Sequence, residues 1–222
     1  VTPTKAHLAP RLLAATLAAG LLLGCALTGK SEAIEPRYFT PERAGEPGPI
    51  ARAEPHSDLR LRLGSVRSAP HLEERLVFRG ADYELAYYPD RRWTEAPQRY
   101  LRRRLSRALF EEHGVKQVLG GPALVLDVEL TAFEEARRGE RVIARVEVTV
   151  TLHDERVALW EETLIAEQPV KGAVAGEGAA ALVSALSEGL RAVVERISER
   201  TILELSARRQ PEAVTPTPLV VE

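Results

Sequence analysis

Leu124-Val125-Leu126-Asp127-Val128-Glu129-Leu130-Thr131, followed by Val142-Ile143-Ala144-Arg145-Val146-Glu147-Val148-Thr149-Val150-Thr151-Leu152, is the stretch from which the fold can be read. Leu124, Leu126, Val128 and Leu130 in the first run, and Val142, Ala144, Val146, Val148, Val150 and Leu152 in the second, are apolar at every other position. Between them fall Asp127, Glu129, Thr131, Arg145, Glu147, Thr149 and Thr151. Successive side chains of an extended chain point to opposite faces, so this period of two predicts strands with one buried and one largely polar face. A third strand, Val157 to Ala166, follows the short turn His153-Asp154-Glu155-Arg156, and the three are expected to form a meander.

Towards the C-terminus, Leu182, Leu186, Leu190, Val193, Val194, Ile197 and Leu205 recur at helical spacing and predict a long amphipathic helix from Glu177 to Ala207. Towards the N-terminus, Thr94 is expected to cap a helix with Glu95 and Pro97 in its first turn, ending near His113 and Gly114. Its buried face would be Leu101, Leu105, Ala108 and Leu109. Further upstream, Leu59-Arg60-Leu61-Arg62-Leu63 alternates as a strand, and Arg75–Phe78 and Tyr83–Tyr88 flank Gly80 as a hairpin. The expected fold class is α+β, a mainly antiparallel sheet with two amphipathic helices packed on one face, over residues 58–207.

Composition bounds the function. The 222 residues are 45% hydrophobic and 28% charged, which suits a packed domain and excludes a wholly disordered chain. Thirty basic residues against 32 acidic ones give a net charge of -2, so there is no global attraction to nucleic acid, and none is expected as a partner. A single cysteine excludes an internal disulfide framework and a multi-thiolate metal site.

Residues 1–24 read as a signal peptide: Lys5, His7 and Arg11 precede the apolar run Leu12–Leu23, with no acidic residue. That run is well short of the roughly 20 residues needed to span a bilayer as a helix. It ends in Leu22-Leu23-Gly24-Cys25, which resembles the bacterial lipobox, implying covalent diacylglycerol and N-acyl lipid on Cys25 as the only bound group expected. Several acyl chains anchor a protein stably where one does so marginally, at about 0.8 kcal/mol per buried methylene. Ala26 stands where inner-membrane lipoproteins usually carry Asp, which by resemblance implies the outer membrane, facing the periplasm. Residues 25–57, with Pro36, Pro41, Pro47, Pro49 and Pro55, are expected to be a tether with a short edge strand at Arg37–Thr40, and residues 208–222 a tail.

No catalytic constellation emerges. Gly24-Cys25-Ala26-Leu27-Thr28-Gly29-Lys30-Ser31 satisfies the P-loop pattern, and Ala123–Asp127 could pass as a strand ending in a magnesium-associated Asp. Phosphate binding there needs a strand before the loop and a helix after it, whereas a signal peptide precedes and Glu32 to Pro36 open no amphipathic helix. The histidines form no metal-ligand pair, the serines lack a nucleophile setting, and Glu134-Glu135 and Glu161-Glu162 are adjacent on strands, so each pair points to opposite faces. Arg91, Arg92, Arg99, Arg102, Arg103, Arg104 and Arg107 form a local basic cluster, expected to be a solvated face with ion pairs, or else a surface for acidic partners or anionic lipid.

Several segments together resemble the ABC-type transport auxiliary lipoproteins, the PqiC-like components of MCE lipid-transport systems. They are the lipobox at Cys25, Arg37-Tyr38-Phe39-Thr40-Pro41-Glu42, Ala69-Pro70-His71-Leu72, the run Tyr87-Tyr88-Pro89-Asp90-Arg91-Arg92-Trp93-Thr94-Glu95-Ala96-Pro97, Leu126–Leu130 and the terminal helix, in family order. The resemblance implies a non-enzymatic outer-membrane lipoprotein that docks an MCE-domain protein and, through it, an ABC permease and ATPase. Self-association through unpaired strand edges is a family-level expectation. The partner-binding residues expected are Trp93, Arg92, Tyr88 and Arg103, with packing at the helix entry as the other role for the aromatic rings. A lipoprotein that regulates a periplasmic cell-wall or envelope enzyme is the alternative function.

Overall fold

A computed structural model describes residues 34–42, 56–81, 83–172 and 178–208. The signal peptide, Cys25, the P-loop-like run and residues 43–55 of the tether lie outside the described residues, as does the tail beyond Arg208.

The spine of the sheet is β6 (Leu124–Arg138), a strand of 15 residues. One edge of β6 pairs antiparallel along its length with β7 (Arg141–His153), which pairs antiparallel with β8 (Ala158–Pro169), giving the expected meander. The other edge is shared. Its first half pairs parallel with β2 (Arg60–Ser68), and its second half, at Glu134–Ala136, pairs parallel with β3 (Arg75–Ala81). β3 turns back antiparallel onto β4 (Glu84–Trp93) as the expected hairpin, and β1 (Arg37–Phe39) and β5 (Lys116–Gln117) add short parallel edges to β4 and β2. The eight strands form one sheet, mostly antiparallel, with two helices.

A bulge at Thr131 shifts the β6–β7 register between Leu130 and Ala132. Because one extra residue reverses the alternation, Phe133 and Glu135 take over the face that Leu126, Val128 and Leu130 hold before it. The apolar face of β7, Val142 to Leu152, is buried throughout, as its period requires.

Helix α1 (Pro97–Ser106) continues as a single wider turn over Arg107–Glu112, where His113 N–H reaches Ala108 O at 2.9 Å. It packs on β2 and β6 and buries Tyr100, Leu101, Leu105, Ala108 and Leu109. The expected cap is corrected: Ala96 occupies the N-cap position, because the Thr94 hydroxyl is committed to the Tyr100 hydroxyl at 2.7 Å. Helix α2 (Ala179–Ala207) lies across β7 and β8 and touches α1. Gly189 lets it come close, since a Cβ there would stand 2.9 Å from Val146 Cγ2. Leu182, Leu186, Leu190, Val193 and Ile197 join the sheet's apolar face in one core. Among the described residues no helix is long and apolar enough to cross a membrane.

Candidate functional site

The run from Tyr87 to Pro97 crosses from β4 into α1, and several buried rings and ion pairs collect around this junction. At its centre Trp93 is 1% exposed, with its ring 5.0 Å from Phe133 and 6.3 Å from Tyr100, the latter edge-on. β1 is held here as well. Phe39 pairs with Trp93, and Thr94 N–H donates to Phe39 O at 2.9 Å.

The arginines of α1 combine exposed positions with ion pairs and contacts to backbone carbonyls. Arg103 reaches Glu42 through Nε and Nη2, both at 3.1 Å, and Glu95 at 3.0 and 2.9 Å. Hydrogen bonding from Arg103 holds the Glu95 carboxyl below its ordinary range. Arg104 donates to Pro41 O at 2.9 Å, to Ser187 Oγ at 2.8 Å and to Ser187 O at 3.1 Å, joining the lead-in strand to both helices. Arg102 donates to Gly64 O at 3.0 Å, and Arg107 pairs with Glu112 at 3.0 Å. The segment Arg37–Glu42 is therefore fixed to the body by a strand pairing and two arginines, which narrows the expected tether.

Beneath the junction lies a cluster that the sequence did not announce. Glu135, 1% exposed, accepts from Tyr88 Oη at 2.6 Å and from Arg137 Nε at 2.7 Å, and Arg137 Nη2 donates to the Tyr88 oxygen at 3.0 Å. Arg137 lies over Phe78, and Arg91 over Tyr88, each at 3.9 Å from the ring centroid. Burial, reinforced by the Glu135 hydrogen bond, pushes the Tyr88 hydroxyl above its ordinary value, so it stays a neutral donor. On the opposite sheet face Glu134, fully buried, accepts from Arg79 Nε at 2.7 Å. The two acids point apart as the strand period requires, and each is matched by its own arginine. The only advance signal was two consecutive acids inside an otherwise buried strand.

A second link sits at the other end of β6. Gly64-Ser65 form a bulge in β2, Ser65 N–H donates to Asp127 Oδ1 at 2.6 Å, and His153 Nε2 meets Asp127 Oδ2 at 3.1 Å. Hydrogen bonding of His153 to Asp154 O, and to Asp127, raises the imidazole pKa. Among the described residues no group of three or more His, Cys, Asp or Glu is placed to hold a metal ion.

Of the residues singled out from the sequence, Trp93 and Tyr88 (5% exposed) are buried and offer no ring to a partner. Arg92 is half-buried, and Arg103, with a side chain 45% exposed, stands at the surface of α1. Cys25 lies outside the described residues.

A family model described as ABC-type transport auxiliary lipoprotein component matches residues 44–198, more than half of the chain. No curated protein matches it. Among solved structures, protein XCC0632 from Xanthomonas campestris is similar over 77% of this chain and 97% of its own, with TM-score 0.64 and 18% identity. An uncharacterized protein is similar over 75% of this chain and 99% of its own, with TM-score 0.56 and 16% identity. These likenesses describe the fold.

Proposed function

Because the chain belongs to the ABC-type transport auxiliary lipoprotein family, and so accompanies an ABC-type transport system as a membrane-anchored lipoprotein, we propose that it is a non-enzymatic docking subunit for an MCE-type protein. In this reading lipid on Cys25 holds it in the outer membrane facing the periplasm. The observation that carries the proposal is the fixed lead-in. Arg37–Glu42 are tied into β4 and α1, so only the chain from Cys25 to Arg37 separates lipid from body. At full extension that chain reaches roughly 40 Å, which keeps the body near the membrane while freeing it to meet a periplasmic partner. Arg103, at the outer surface of α1, is the member of the expected binding set best placed to meet that partner.

The test is crosslinking of the lipidated protein in native membranes, with mass spectrometry of the products and Cys25→Ser as control. Recovery of an MCE-domain protein that depends on Cys25 supports the docking role. Recovery of a cell-wall or envelope enzyme with no MCE-domain protein replaces it with the regulator reading.

A further inference from the structure

Arg75 and Arg92 are register partners across the β3–β4 ladder, so their side chains leave the same face of the sheet. Like charges directly opposite in a ladder repel, and such pairs are normally relieved by a carboxylate close by. Here there is none. Among the described residues neither arginine has an ion pair, and Arg75 Nε and Arg92 Nη1 are buried without a hydrogen-bond partner. Arg75 is held in place by its stack on Tyr87, 4.7 Å from the ring centroid.

Both arginines line a groove of about 550 Å³ between the β2–β3 connection and the start of α1. Ser68 Oγ lies 2.9 Å from Gln98 Oε1 and 3.2 Å from Leu72 O, which fixes the Gln98 side chain at the wall of the same groove. The first turn of α1 has no acidic residue and no side-chain cap. Glu73 and Glu74 stand exposed on the rim, and neither pairs with the arginines.

Two guanidinium groups side by side on one wall, Arg75 fixed by its stack on Tyr87 and neither of them ion-paired, offer N–H donors that suit the tetrahedral oxygens of a phosphate group. We propose that this groove is a phosphate-binding site, filled either by the phosphodiester of a lipid headgroup or by free phosphate. The site rests on the arginine pair and not on the docking role, and its test involves no partner protein.

The full-length protein in neutral detergent at low salt is titrated calorimetrically with inorganic phosphate and with glycerophosphoglycerol, the acyl-free headgroup of phosphatidylglycerol. Saturable binding is expected, weakened at least tenfold by Arg75→Gln or Arg92→Gln and unchanged by Arg99→Gln on the exposed face of α1. Should either groove variant fail to fold, the Nε–H resonances of Arg75 and Arg92 in the unaltered protein are followed during the same titrations. Arginine-dependent binding of glycerophosphoglycerol supports the site with a lipid source, and binding of inorganic phosphate alone supports it with a free one. Absence of saturable binding, binding indifferent to both arginines, or unmoved Nε–H resonances overturns it.

Discussion

Replacing Trp93 by alanine tests whether the most distinctive residue of the junction is core or contact. Its ring is 1% exposed and wedged against Phe133 and Tyr100. A tryptophan buries up to about 250 Å², which at roughly 25 cal/mol per Å² sets a ceiling near 6 kcal/mol for losing all of it. Alanine retains part of that burial and the unfolded chain is itself partly collapsed, so the expected loss is about 3–5 kcal/mol. Typical domains have only about 5–15 kcal/mol in total, so the variant should unfold at far lower urea. Trp160, the other tryptophan in the sequence and itself buried, remains as a fluorescence reporter beside circular dichroism. Trp93→Phe, which keeps a ring between Phe133 and Tyr100, should recover a large part of the loss. A stability change below about 1 kcal/mol, well outside the range for a buried Trp→Ala, together with loss of partner crosslinking, would refute the packing assignment.

Four further outcomes are expected. Glu135→Leu leaves Arg137 and the Tyr88 hydroxyl without their buried acceptor and should cost about 3–5 kcal/mol, while Tyr88→Phe should cost closer to 1–2, both read by urea denaturation. Glu95 should titrate below the ordinary carboxylate range by NMR. Its folded pKa is depressed, so its contribution is present above the unfolded value and lost as pH falls through the folded one, and Arg103→Gln should raise it towards the ordinary range and speed hydrogen exchange across Arg37–Glu42. His153 should titrate above its ordinary value. Its contribution is full below the unfolded pKa and lost as pH rises through the folded one, and Asp127→Asn should lower the NMR midpoint. Gly189→Ala gains about 1 kcal/mol of helix propensity but presses on Val146, so a net destabilisation of roughly 1–2 kcal/mol is expected, relieved by adding Val146→Ala.

The sequence by itself determined the main strands and helices and most of their buried faces, though not the bulge at Thr131 that swaps the faces of β6. Alternation fixed the β6–β7–β8 meander, helical spacing fixed the buried stripes of α1 and α2, and the opposed directions of Glu134 and Glu135 followed from the strand period alone. Each is a local property, set by backbone geometry and legible within about ten residues. What only the tertiary structure decided is who meets whom. That β6 carries β2 along one half and β3 along the other, that Arg103 and Arg104 fasten Glu42 and Pro41, and that Arg75 and Arg92 stand side by side depend on ladder register and on the packing of α1. Arginines look alike in sequence, whether they stand on a helix or a strand. Whether each is paired inside, spent on a backbone carbonyl or left facing a groove is set by residues dozens of positions away, where no periodicity reaches.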